Sequence, residues 1–283
     1  MHQIRSFVAL GDSFTEGIGD PYPGGGDRGW ADRFAGWLAA SLEPGHELRY
    51  ANLAVRGKTL REVISDQLPA ALDMAPGLVS LAAGGNDLLR RRADPDELGE
   101  VLDAAVGQLA RAGIPVLLFA GFDPGTFPDI RLIRGRAAVL NAHIRVTAQR
   151  YNCDLADLWQ MRVLRDPREW CPDRLHMGPD GHRRVALRAC EIMGVPASGD
   201  WREPLPPEPT AGPTTAGPTA AGPTAAALAA RAGRLLAARR QDARWAREYA
   251  APWVSRRLRG TSSGDGAIPK RPHLLPVPAP CTT

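Results

Sequence analysis

Short apolar runs that stop at a polar turn recur along the first two thirds of the chain. Phe7, Val8, Ala9 and Leu10 halt at Gly11-Asp12-Ser13, Leu78 to Ala83 halts at Gly84-Gly85-Asn86-Asp87, and Ile114 to Ala120 runs into a loop through Gly125. Runs of this length that are apolar at successive positions predict strands covered on both faces. Leu48 to Leu53 and Cys153 to Trp159 complete a predicted set of five strands. Between them the period lengthens. Trp30, Phe34, Trp37 and Leu38 predict a helix over 29–42, and Leu60, Val63, Ile64 and Leu68 predict another that Pro69 stops. Asp94-Pro95-Asp96-Glu97 opens a third, since Asp caps a helix and Pro is tolerated in its first turn; further helices are predicted over 130–151 and 179–193. Strands alternating with helices at this spacing predict an α/β fold of three layers, with a parallel five-stranded sheet between two layers of helices.

Past Gly194 the composition changes. Pro204-Leu205-Pro206-Pro207 leads into repeated Ala-Gly-Pro-Thr units that cannot bury a core, and Ala225 to Ala250 is rich in the strong helix formers Ala and Arg. The chain therefore divides into a globular domain over 1–196, a Pro-, Gly- and Thr-rich linker over 197–224, a basic Ala/Arg-rich helix over 225–259, and a tail without regular structure over 260–283. Charge follows this division: from Trp201 onward there are 12 Lys and Arg against 5 Asp and Glu, whereas the preceding residues carry 23 against 26. The positive formal charge of the chain belongs to its tail, where Arg231, Arg234, Arg239, Arg240, Arg244 and Arg247 with Trp245 and Tyr249 form a possible surface for nucleic acid or anionic lipid. A binding module acting through that basic helix is the alternative from another functional class. No run approaches the 18 apolar residues of a spanning helix, no secretion signal is visible, and the four cysteines form no C-x-x-C pair, so a cytoplasmic protein with reduced thiols is expected.

The chemistry-bearing residues collect where the predicted strands end, which is where open α/β sheets keep their sites. Ser13 follows the first strand. Gly57, in Asn52-Leu53-Ala54-Val55-Arg56-Gly57, follows the second, and Asn86 follows the third. Asp173 and His176 stand three residues apart in the loop before the last predicted helix, so the carboxylate can hold one imidazole nitrogen while the other faces a serine. An Asn side-chain NH₂ and a glycine N–H are both competent oxyanion donors. Two rivals fail on their spacing. Arg56-Gly57-Lys58-Thr59 looks like the end of a phosphate loop, but Asn52 stands where that motif needs glycine, and Asp173, His176 and His182 are a weak metal set. Neither cofactor nor metal is expected.

Gly11-Asp12-Ser13-Phe14, Asn52 to Gly57, Gly84-Gly85-Asn86-Asp87 and Asp173-Arg174-Leu175-His176, in this order, resemble the four blocks of the SGNH hydrolases, also called the GDSL family of esterases and lipases. The resemblance covers residues 4 to 194 and carries Phe14 where the family name has Leu. It implies a flavodoxin-like SGNH fold and ester hydrolysis, with Ser13 as nucleophile, His176 as base and then acid, and Asp173 as its orienter. It also implies an oxyanion hole from the Ser13 and Gly57 amides and the Asn86 side chain, and a small-molecule ester as substrate. Thioesters and carbohydrate O-acetyl groups are alternatives on the same site. Residues 17–27 and 122–130 are expected to shape the acyl pocket, and the lack of a long apolar lid points to short acyl chains. No G-x-S-x-G pentapeptide is present, which argues against the ordinary α/β-hydrolase fold.

Overall fold

The computed structural model describes residues 4–127, 130–207, 244–245, 247–248, 251 and 262–277. It divides into two compact units, Met1–Glu203 with Ser262–Thr283, and Pro204–Thr261. Most of the predicted linker and basic helix lies outside the described residues.

In the first unit the chain runs β1 (Ser6–Gly11), α1 (Ser13–Glu16), α2 (Gly29–Ala40), β2 (Arg49–Asn52), α3 (Leu60–Asp66), α4 (Leu68–Met74), β3 (Leu78–Ala82), α5 (Gly85–Leu88), α6 (Pro95–Arg111), β4 (Val116–Ala120), α7 (Arg134–Arg150), β5 (Asp154–Asp157), α8 (Pro179–Met193) and β6 (Arg271–Pro276). The sheet order is β5-β4-β3-β1-β2-β6, and β1 to β5 are parallel. Connections leave β1 toward β2 and then return past it to β3, so the order reverses beside β1. That is the topological switch point at which doubly wound sheets form their crevice.

Successive residues of each strand serve opposite faces. Phe7 and Ala9 join Trp30, Phe34 and Leu38 of α2 and Val185, Ala186 and Ala189 of α8 in one core. Val8 and Leu10 join Leu60 and Val63 of α3, Leu102 and Leu109 of α6, and Leu140 and Ile144 of α7 in the other. A sheet covered on both faces requires the unbroken apolar runs seen in the sequence.

Two elements differ from expectation. Pro69 sits in the first turn of α4 rather than ending a helix, because the chain breaks at Gln67 and restarts, and a proline there loses no helical hydrogen bond. The tail over 260–283, predicted to lack regular structure, contains β6, a sixth strand antiparallel to β2. It is half exposed and holds Pro272 and Pro276, so neither alternation nor β propensity marks it; edge strands tolerate both features. Val277 donates to the Leu48 carbonyl at 2.9 Å, and Arg271 Nε donates to the Tyr50 carbonyl at 2.7 Å. Among the described residues no helix is long and apolar enough to cross a membrane.

α8 is docked on the front of the sheet through His182, which is fully buried. Its Nδ1 accepts from the Trp30 amide at 3.2 Å and its Nε2 lies 3.1 Å from the Ile18 carbonyl, so the neutral ring bridges α2 and the loop after α1. Burial pushes the imidazole down to about 4, with the Ile18 carbonyl and Asp20 opposing and Arg33 and Lys270 reinforcing the shift. The native ring thus stays neutral where the unfolded ring, at about 6.5, takes a proton. Stability from this group is present above pH 6.5 and is lost as pH falls toward 4, up to about 3 kcal/mol. Urea unfolding of the protein and of His182→Asn between pH 7.5 and 4.5 should show the stability gap between them narrowing as pH falls. A constant gap would mean that His182 does not titrate in this way.

Candidate active site

The site is built on the end of β1. Beyond Leu10 the backbone of Gly11 is held by a buried side-chain amide: its N–H donates to Gln67 Oε1 and its carbonyl accepts from Gln67 Nε2, both at 2.9 Å. The strand therefore stops with its polar groups satisfied and turns at once into α1. Asp12 caps that helix, accepting from the Phe14 amide at 3.1 Å, and Ser13 is the first helical residue, half-buried at the sheet edge. Among the described residues the Ser13 N–H has no hydrogen-bond partner.

The loops after β2 and β3 are bolted to this turn. Glu16 is buried, and its carboxylate accepts from the Arg56 amide at 2.6 Å and from Arg56 Nε at 3.0 Å. Gly57 follows with φ +76°, and among the described residues its N–H also has no partner. Asn86, on α5, donates through Nδ2 to the Lys58 carbonyl at 3.0 Å and to Asp12 Oδ2 at 3.2 Å. Asp87 accepts from the Leu60 amide at 2.9 Å. The three loops that carry Ser13, Gly57 and Asn86 thus brace one another through buried or half-buried polar bonds. Burial pushes Asp12 up to about 6, against the Phe14 amide and the nearby His176, which both favour the carboxylate.

Asp173 and His176 come from the loop before α8. Asp173 Oδ1 accepts from the amides of Leu175 and His176, each at 3.0 Å, and Oδ2 lies 2.6 Å from His176 Nδ1. Burial would raise the Asp173 carboxyl, but the contact with His176 and the two amides hold it below the ordinary carboxylate range. With Nδ1 committed to the acid, Nε2 is left for chemistry. Ser13, Asn86 and His176 line one cavity of about 190 Å³. Among the described residues no hydrogen bond joins Ser13 Oγ to His176.

Apart from these groups and from Asp12 and Asn141, the cavity is lined by apolar side chains and backbone. Its walls include Leu88 at the end of α5 and Leu89 after it, Phe119 near the end of β4, Ile133 just before α7, and Ala137, Leu140 and Ile144 along α7. Asn141 also lines it, with its amide closed in a reciprocal pair with the Gly121 N–H and carbonyl, both at 2.8 Å. Of the loops expected to shape an acyl pocket, 17–27 contributes Ile18 and 122–130 contributes Phe122 and Ile130. The larger share comes from α7, which in sequence is only a helix predicted over 130–151. Gln67 and Glu16 also escaped sequence reasoning, since neither has a local partner that would mark it.

The rival phosphate-loop residues are engaged elsewhere: Arg56 is paired with Glu16, and Lys58 Nζ donates to Asp66 at 2.9 Å. The amide of Glu62 behind them is turned to Thr59, the N-cap of α3. Among the described residues no group of three or more His, Cys, Asp and Glu is arranged to hold a metal ion.

Comparison with known proteins adds to this geometry. The sequence model of the GDSL-like lipase/acylhydrolase family matches residues 9–184. An alpha/beta hydrolase enzyme from the metagenome of Lake Arreo, Spain, is similar in structure, with 23% identity, a TM-score of 0.59, and coverage of 69% of this chain and 97% of its own. An acetylxylan esterase from Geobacillus stearothermophilus gives 20% identity, a TM-score of 0.57, and coverage of 70% and 96%. The psychrotrophic esterase from Pseudoalteromonas sp. gives 15% identity, a TM-score of 0.54, and coverage of 67% and 97%. At these identities the likeness is one of fold. No curated protein gives a significant match.

The Glu16 brace is testable by itself. Glu16→Ala leaves the Arg56 amide without its acceptor and should cost about 1–3 kcal/mol in urea unfolding. Arg56→Met, which keeps the amide bond to Glu16, should cost less; equal losses would mean that the guanidinium contact alone carries the brace.

Proposed function

We propose, from the premise that this chain belongs to the GDSL-like lipase/acylhydrolase family and is thereby a hydrolase acting on ester bonds, that Ser13 is its nucleophile, His176 its general base and Asp173 the orienter of that base. The observation that carries the reading is the pairing of His176 with Asp173 at 2.6 Å on the wall of the cavity that Ser13 also lines. Ser13 Oγ attacks the ester carbonyl carbon while His176 Nε2 takes its proton. The electron pair displaced onto the carbonyl oxygen is received by the Ser13 and Gly57 amides, which have no partner to give up among the described residues, and by Asn86 Nδ2, which turns one hydrogen to it by giving up the longer of its two bonds, that to Asp12. Collapse returns that pair, breaks the bond to the alcohol oxygen, and passes the proton from His176 to the leaving alcohol. Water, deprotonated by His176, then adds to the acyl carbon; collapse breaks the bond to Ser13 Oγ, which takes the proton back from His176, and the carboxylic acid leaves. The missing Ser13–His176 hydrogen bond is compatible with this sequence, since such bonds tighten when substrate arrives.

The cavity speaks for the acyl side of the substrate. Leu88, Leu140 and Ile144 offer a linear acyl chain an apolar wall and no polar partner, which favours acyl groups longer than acetyl over the short chains expected from sequence. Each methylene buried there contributes about 0.8 kcal/mol, or roughly fourfold in kcat/KM. A thioester with the same acyl chain fits the same wall, whereas a sugar O-acetyl group leaves it unfilled.

With p-nitrophenyl acetate, butyrate and hexanoate, kcat/KM should rise about fifteenfold from the first to the second and again to the third, two methylenes at each step. Ala137→Phe, which fills the cavity from α7, should return the preference to acetate. Acetate as the best substrate of the unaltered protein would reject the acyl assignment. Ser13→Ala and His176→Ala should each abolish turnover with folding unchanged, and Asn86→Ala should lower kcat by roughly 10² to 10³. Variants as active as the parent would reject the triad.

A further inference from the structure

The described C-terminal segment does more than extend the sheet. Residues 262–267 fold into a turn whose polar groups are closed among themselves: Ser262 N–H donates to Asp265 Oδ2 at 2.8 Å, Gly264 N–H donates to Ser262 Oγ at 3.2 Å, and Ala267 N–H donates to the Gly264 carbonyl at 3.0 Å. This self-contained turn is seated on the loop after β2. A Cβ built on Gly57 would collide with Ser262 Oγ and lie 2.8 Å from Ser263 Oγ. A Cβ built on Gly264 would collide with the Arg56 carbonyl oxygen and lie 3.2 Å from Val55 Cγ1. The two backbones touch at two glycines, one on each side, and Gly264 is buried in the contact. Downstream the segment is pinned again: Lys270 Nζ donates to the carbonyls of Asp27 and Arg28 at 2.9 and 2.7 Å and pairs with Asp32 at 2.9 Å, before β6 pairs with β2.

Gly57 is therefore bounded on every side that could let it swing. Glu16 holds the amide of Arg56 before it, Asn86 holds the carbonyl of Lys58 after it, and the turn closes its outer face. Its N–H is left without a partner among the described residues. A glycine with φ +76° would otherwise be the least constrained residue of the loop.

We infer that the Ser262–Gly266 turn is a positioning element of the active site: by filling the space outside Gly57 it fixes the Gly57 amide in the direction that receives the oxyanion. Ser262, Ser263 and Gly264 act through Gly57 and not on the substrate. The inference rests on the reading of Gly57 as an oxyanion donor, and it makes catalysis depend on residues some two hundred positions away in sequence from that loop. A donor displaced by about 1 Å can cost up to 10² in rate, and a donor lost costs 10² to 10³.

The test uses the full chain and compares Gly264→Ala, whose methyl must push the turn off Arg56, with Gly266→Ala. Gly266 lies in the same turn at φ +77° with nothing within 4 Å of its Cβ direction, so Gly266→Ala strains the backbone of the turn without the contact, whereas Gly264 is not in the left-handed region and its substitution acts through the contact. For p-nitrophenyl butyrate, Gly264→Ala should lower kcat at least tenfold with KM within twofold, and Gly266→Ala should stay within threefold of the parent. Inhibition by a trifluoromethyl ketone separates positioning from general damage. Ser13 Oγ adds to its carbonyl carbon, the carbonyl pair moves onto oxygen, and the Oγ proton passes to His176, so the hemiketal oxyanion occupies the same donors. Its inhibition constant should rise in Gly264→Ala by the factor by which kcat/KM falls. If Gly264→Ala does not fold, the Ser262→Ala, Ser263→Ala double variant decides, with an expected loss of about tenfold in kcat and the matching rise in inhibition constant. Unchanged kcat and inhibition constant in a folded variant would overturn the inference. A parent enzyme indifferent to both the ketone and Ser13→Ala would instead overturn the reading of the site on which it rests.

Discussion

Parallel pairing of β1 between β2 and β3 is the constraint from which the site follows. Parallel strands end on one edge, and neighbours stand about 4.8 Å apart, so the loops leaving β1, β2 and β3 must emerge side by side. Those loops carry Ser13, Gly57 and Asn86. Burial on both faces locks the register, because Phe7 and Val8 serve different cores and a slip of one residue would exchange them. The histidine has a harder route. β5 lies at the far edge of the sheet, three strands from β1, and the chain must return across β4 and β3 before it can meet Ser13. Trp170 supports that return by packing on Phe122 and Phe127 at 4.4 and 5.1 Å, and α8 completes it by docking beside α2 through His182.

Strand ends alone do not hold a loop to catalytic tolerance. Here the tolerance comes from polar bonds between loops: Gln67 to Gly11, Glu16 to Arg56, Asn86 to Lys58 and Asp12, and Asp87 to Leu60. Several of these groups are buried, so breaking one leaves a donor or acceptor without water, and the loops move together or not at all. The same burial sets Asp12 and His182 away from their ordinary titration in opposite directions, up for the acid and down for the base. Both shifts disfavour charge beneath the site.

Much of this was legible in the sequence because each part is written locally. Three of the five parallel strands, β1, β3 and β4, announce themselves as apolar runs ending in glycine; Ser13 and Asn86 sit just beyond two of those ends, and Asp173 and His176 stand three residues apart in one loop. What escaped is what depends on distance. Glu16 meets Arg56 forty residues on, and Gln67 meets Gly11 across fifty-six, with no periodicity to join them. In sequence Pro69 reads as a stop because a proline inside a helical pattern breaks it, and only the restart at Gln67 shows that it sits in a first turn. β6 lacks any strand signal, since an exposed edge strand has no buried alternate face and its prolines point the other way. In sequence α7 is only a helix over 130–151, and its role as the apolar wall appears only where the cavity opens beside it.

The central claim is that Ser13 is a nucleophile activated by His176, and covalent capture tests it without any choice of substrate. An alkyl fluorophosphonate should add one equivalent to the intact chain, with fluoride leaving phosphorus as Ser13 Oγ attacks, and peptide mass spectrometry should place the adduct on Ser13. His176→Ala should slow the labelling by several orders of magnitude and Ser13→Ala should prevent it. An adduct on another residue, or labelling as fast in Ser13→Ala as in the parent, would contradict the account.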